Sequence, residues 1–129
     1  MSGENMNNKK IAQNFWEAMG TNDFYSASQL LHDDFILEWP QSGERIFGKD
    51  NFAAINTQYP ANGKWVFTIN QLVSEGNTIV SDVSVSDGIR HDRVITFSTI
   101  RDKKIWRQVE FWPDPFEAAA WRAQWVVKE

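Results

Sequence analysis

Asp82 and Glu110 are the two carboxylates that stand out as candidates for chemistry. A carboxyl group walled by Phe and Trp has its charged form desolvated and its pKa raised, the condition for a general acid or base near neutral pH. Two such groups in one apolar space repel each other's charge, so one stays protonated and the pocket holds both an acid and a base. The competing reading is structural. Both carboxylates can hydrogen-bond Arg or Trp side chains at a cavity rim, because ion-pair networks perturb carboxylates as well. His91, in Arg90-His91-Asp92-Arg93, is a third catalytic candidate, but three residues past a hairpin turn it also fits an exposed, charged strand end. His32, beside Asp33 and Asp34, reads as a surface cap at a helix end. Other chemistries find no support. Two distant His and no Cys give no zinc spacing, so no metal is expected. The glycines are isolated, so neither a phosphate loop nor a dinucleotide fingerprint is present. No cofactor is implied, and nothing specifically supports flavin or haem.

These residues must be positioned by helices first and strands second. Ile11, Phe15 and Met19 recur every four residues up to Gly20, which predicts an amphipathic helix starting near Asn8. Residues 1–7 lack apolar periodicity and read as a disordered leader. Thr21-Asn22-Asp23 caps a second helix with Phe24, Ala27, Leu30 and Leu31 on one face, ending at Asp33-Asp34. A short strand over Phe35 to Trp39 pairs with Arg45 to Phe47, and Asp50 caps a third helix that Pro60 ends. From Lys64 the period becomes two. Strands are expected up to the Glu75-Gly76-Asn77 turn, over Thr78 to Ser86, over Arg90 to Ile100 and over Lys104 to Trp112, with Asp87-Gly88 and Arg101-Asp102-Lys103 as turns. After Pro113 and Pro115 a short terminal helix is expected, anchored on the domain by Trp121 and Trp125.

With 129 residues the chain fits one domain over 8–129. Its net charge of -4, from 17 acidic and 13 basic side chains, gives no basic footprint, so neither nucleic acid nor a membrane surface is an expected partner. Met1 to Lys10 is polar and lacks the apolar core of a signal peptide, so a cytoplasmic location is expected. Seven Trp and nine Phe are more apolar wall than a plain core needs, which points to a cavity for a small-molecule ligand.

The element order is α+β, with helices covering one face of a strongly curved, mostly antiparallel sheet. That order resembles the nuclear transport factor 2-like superfamily of cone-shaped domains, which includes ketosteroid isomerase, limonene epoxide hydrolase, scytalone dehydratase and the SnoaL-like polyketide cyclases. A sharper likeness to bacterial SnoaL-like proteins lies in Glu110-Phe111-Trp112-Pro113-Asp114-Pro115-Phe116 and Trp121-Arg122-Ala123-Gln124-Trp125. The resemblance implies a cone of three N-terminal helices on the curved sheet, with a short C-terminal helix. Glu110 resembles an acidic residue on the epoxide hydrolase's final strand, which implies that Gln108, Glu110 and Trp112 face inward and Val109 and Phe111 outward. The same comparison puts Val80, Asp82 and Ser84 inward and Ile79, Val83 and Val85 outward. The outward set forms an apolar convex face, so a homodimer through that face is expected. The implied pocket is lined by Phe15, Trp39, Tyr59, Gln108 and Trp112, with Asp82, Glu110 and His91 as its catalytic candidates.

Departures from the catalytic relatives narrow the reaction. Trp39 stands where the isomerase resemblance requires an aspartate base, and Asp82 and Ser84 stand where the epoxide hydrolase pattern requires Arg and Asp. Scytalone dehydratase uses a histidine pair around its cavity, whereas here there are only His32 and His91. Two functions follow: a cofactor-independent enzyme of isomerase, cyclase or lyase type acting on a small apolar carbonyl compound, or a noncatalytic metabolite-binding or sensing domain.

Overall fold

The computed structural model describes the backbone of residues 2–128 and the side chains of residues 8–128. Helix α1 spans Ser2–Met19, so helical backbone begins inside the segment expected to be a leader; the side chains of 2–7 lie outside the described residues. The Phe15, Trp16 and Met19 face of α1 is buried, as its spacing predicts. The second helix is shorter than expected. Asp23 caps it through the Ser26 amide, α2 covers only Phe24–Ala27, and a 3-10 turn over Ser28–Leu30 leads straight into β1, Leu31–Trp39. Asp33 and Asp34 therefore sit on a strand rather than at a helix end, and so does His32. Its ring accepts the Asp34 amide at Nδ1 (3.0 Å) and bonds Asp102 through Nε2 (3.2 Å), which ties β1 to the β5–β6 turn.

Strand β2, Glu44–Phe47, pairs back on β1. Helix α3 spans Lys49–Gln58 and is preceded by Gly48 at φ 83°; Asp50 lies in its first turn and not at the cap. Four long strands follow: β3 Val66–Glu75, β4 Thr78–Ser86, β5 His91–Arg101 and β6 Lys104–Phe111. The sheet order is β2-β1-β6-β5-β4-β3, antiparallel except where β1 runs parallel to β6. Pairing slips between Ile69 and Gln71, between Thr99 and Ile100, and along β1 between Leu31 and Ile36. Such irregularities bend strands and increase twist, and here they curve the sheet so that α1, α2 and α3 fill its concave side. No helix among the described residues is long and apolar enough to cross a membrane.

Two expectations about faces are corrected. On β4 the concave residues are Ile79, Ser81, Val83 and Val85, all at most 2% exposed, while Val80, Asp82 and Ser84 face out. Plain alternation would have put the Ile and Val positions in the core; the family comparison set the wrong parity. The convex face is apolar nonetheless, because Val80, Ile95 and Phe97 join Val109 and Phe111, with the Phe97 and Phe111 rings 6.3 Å apart. The terminal segment holds only a 3-10 turn over Ala120–Trp125, and Trp121 and Trp125 are 74% and 71% exposed. They do not anchor it on the domain, since Pro113 and Pro115 carry the chain off the sheet in an extended path.

Candidate functional site

The concave side is mostly closed by carbon: Phe15, Trp16 and Met19 from α1, Phe52 from α3, Leu37 from β1, Phe67 from β3 and Val85 from β4. Two local devices complete its wall. Asn22, at φ 64°, grips the backbone of Trp65 with its side chain on both sides (2.8 Å each), and so holds that indole at the entrance to β3. Asp87 accepts the amides of Asn62, Ile89 and Arg90, which fixes the β4–β5 hairpin and sets Arg90 at the cavity mouth. These amides hold its carboxyl well below the usual range.

Glu110 lies at the centre and is 6% exposed. The parallel register of β1 and β6 brings Trp39 alongside it, and the antiparallel register of β5 sets Thr96 directly opposite. Its Oε1 accepts the indole N–H groups of both Trp39 (3.1 Å) and Trp112 (2.8 Å), and its Oε2 accepts the Thr96 hydroxyl (2.7 Å). Burial pushes its pKa up, and the three hydrogen bonds oppose that rise. None of the three donors carries a charge, so the burial cost of the carboxylate is left without a counter-ion.

The cavity also touches Asn56, Tyr59 and the Arg90–Asp92 pair. Its interior admits a molecule of a few heavy atoms without side-chain movement, within an empty space of about 590 Å³ counted out to the open mouth. Outside it a vestibule of about 1100 Å³, counted the same way, is bounded by Gln41, Ser42, Glu44 and Asp114, and shares Trp39, Tyr59, Arg90, Glu110 and Trp112 with the inner cavity.

Sequence reasoning placed Phe15, Trp39, Tyr59, Glu110 and Trp112 around one cavity, and the structure brings those five together. Gln108 is buried beside them but is not a wall residue; its Nε2 donates to Ser98 at 3.3 Å. Asp82 is not in the pocket. It lies on the convex face, where Arg93 donates to it from Nε (2.7 Å) and Nη2 (2.5 Å) and holds its carboxyl below the usual range. His91 is exposed at the start of β5 and does not line the cavity. Trp106, two residues before Gln108, stacks outside against Arg107 and Arg101, because the slip opposite Thr99 and Ile100 changes the parity of β6. Thr96 and Asp92 were missed. Asp92 shares a face with Thr96 by simple alternation from the hairpin, but that Thr96 lies opposite Glu110 needs the β5–β6 register. No group of three or more His, Cys, Asp or Glu among the described residues could hold a metal.

An aromatic cavity under a curved, open six-stranded sheet defines a cone-shaped α+β pocket domain. The chain belongs to the family of SnoaL-like domains, whose model matches residues 12–108. No curated protein matches it. Among solved structures it is similar to a candidate ketosteroid isomerase from Kribbella flavida, at 24% identity and TM-score 0.89, covering 98% of this chain and 92% of that one. An NTF-2 like protein of unknown function from Burkholderia xenovorans shares 29% identity at TM-score 0.81, with 98% of each chain covered. An epoxide hydrolase from M. tuberculosis shares 17% at TM-score 0.69, with 85% of each chain covered. Identities below 25% speak for the fold alone.

Proposed function

We propose that this chain is a cofactor-independent pocket protein in which Glu110 exchanges a proton with a small, compact carbonyl compound held among the cavity rings. The observation that supports this reading is one buried carboxyl group whose pKa is raised in an apolar cavity open to a vestibule. Three of roughly four lone-pair positions on Glu110 are taken, which leaves one on Oε2 for a substrate hydrogen. A single base of this kind can remove a proton beside a carbonyl and return it, the chemistry of an isomerase or a cyclase. The test is deuterium wash-in: small ketones incubated with the protein in D₂O should exchange their α-hydrogens, and Glu110→Gln should not support exchange. No exchange with the wild type across a ketone panel would remove the catalytic reading.

A second reading is noncatalytic binding or sensing of a metabolite. It is favoured by the absence, among the described residues, of a free partner carboxylate in the inner cavity, since Asp82 lies on the other face and Asp92 is occupied by Arg90. We place either function in the cytoplasm and in a homodimer through the convex face, where Val80, Ile95, Phe97, Val109 and Phe111 form a contiguous apolar surface. Light scattering tests the dimer; a mass near 15 kDa at high concentration would remove it.

A further inference from the structure

Both readings need a pocket, and neither specifies the charge of its occupant. We infer that the cavity is built for a compact organic cation, an ammonium centre bearing alkyl groups, seated between aromatic faces and the Glu110 carboxylate. This rests on the pocket reading and not on turnover; for the catalytic reading it narrows the substrate to carbonyl compounds that carry an ammonium group.

The first support is the wall. Trp16, Trp39, Phe52, Tyr59, Trp65 and Trp112 all line the space, and aromatic faces attract cations within about 6 Å of the ring centre. Outside the cavity two tryptophan faces already carry cations: Arg107 sits 4.1 Å and Arg101 4.9 Å from the Trp106 ring, and Arg122 covers Trp121 at 5.9 Å. Among the described residues no cation covers a cavity ring. The indoles of Trp39 and Trp112 also give their N–H groups to an anion, which makes their faces richer in electrons.

The second support is the charge count. Among the described residues Arg90 is the one basic group at the cavity, and its Nε donates to Asp92 at 2.5 Å, so that pair is neutral. Glu110 then remains with three neutral donors, and an ionised carboxylate buried with such partners leaves the cavity one negative charge in excess. An anionic occupant would add to that excess and a neutral one would leave it. A cation removes it. The size fits as well: an inner cavity that admits a molecule of a few heavy atoms takes a trimethylammonium-sized head, and the vestibule can take a polar tail.

The experiment compares choline with 3,3-dimethylbutan-1-ol, the same shape with carbon in place of the charged nitrogen, by titration calorimetry and tryptophan fluorescence on the full chain. Choline should bind about 30-fold more tightly, the ratio that corresponds to a desolvated cation–π contact of about 2 kcal/mol. Glu110→Gln should remove most of that preference. This variant retains the local bonds, since its Oε1 can still accept both indoles and its Nε2 can donate to Thr96. Tyr59→Leu should also lower the preference, since it removes a cavity ring that makes no hydrogen bond to Glu110. Equal binding of the two ligands would overturn the cation inference and leave the pocket reading standing. Binding of neither at millimolar concentration would overturn the inference as well, while the deuterium exchange test then decides the pocket reading separately.

Discussion

Glu110 and Asp82 are the same kind of group, two strands apart in one sheet, and their surroundings make them opposites. Glu110 is on the concave face, buried, bonded to neutral donors and raised in pKa; Asp82 is on the convex face, gripped by Arg93 and lowered. What separates them is strand parity, because moving a residue by one position along a strand transfers it from core to solvent side. A carboxylate therefore becomes a candidate for chemistry through its face and its partners, and proximity in the sheet does not suffice.

The largest expected effect is on activity at Glu110. Glu110→Gln should lower α-proton exchange by about 10²- to 10⁴-fold, the usual contribution of a positioned acid or base, with the folded structure retained. Retained exchange in this variant would move the chemistry away from Glu110. Next in size is Thr96→Val, which deletes the donor to Oε2 and leaves the rest of the site in place. It should cost about 1–3 kcal/mol in chemical denaturation and raise the Glu110 pKa further, read from the carboxyl-carbon chemical shift.

A smaller effect separates the two carboxylates by pH. Glu110 has a folded pKa above its unfolded value, so its contribution to stability is complete below about pH 4.3 and is lost as pH rises through the raised pKa. Asp82 has the reverse sign: its contribution is present above about pH 3.9 and is lost as pH falls through its lowered pKa. Melts of wild type and Glu110→Gln between pH 4 and 8 should diverge on the alkaline side. Wild type and Asp82→Asn should differ only on the acid side, and parallel curves in both comparisons would show that neither shift is coupled to folding.

The same parity logic explains what could be read from the sequence. Element order, the α1 face and the four strands after Lys64 were legible because apolar spacing reports burial directly. The inward placement of Gln108 and Glu110 came from the resemblance, which was right on β6 and wrong on β4, where Ile79, Val83 and Val85 already indicated the core by themselves. The end of α2 was hidden because Leu30 and Leu31 suit a helix face and a strand equally, and only pairing of Leu31 with Ile105 decides between them. Thr96 could not be found by pattern, since its role depends on register between strands that a one-dimensional period does not encode. The terminal aromatics misled for a different reason: spacing says that Trp121 and Trp125 share a side, but not that any surface meets it.

The smallest expected effect completes the comparison. Asp82 and Arg93 form two short hydrogen bonds across adjacent strands, yet Arg93 is 63% exposed and Asp82 20% exposed at the side chain. In that position solvent screens the pair, and ordering a long Arg side chain offsets part of the attraction, so the coupling should be small. Asp82 also accepts from Asn70, so its removal leaves Asn70 with Ser84 as its remaining partner, which limits the damage. A double-mutant cycle with Asp82→Asn and Arg93→Gln isolates the pair from that neighbour. The coupling should shrink in 1 M salt, where the screening length falls to about 3 Å, and α-proton exchange should equal that of wild type in every variant of the cycle. Loss of exchange in Asp82→Asn with the fold intact would mean that the convex carboxylate acts on the concave site through the sheet, and the division between the two faces would then be wrong.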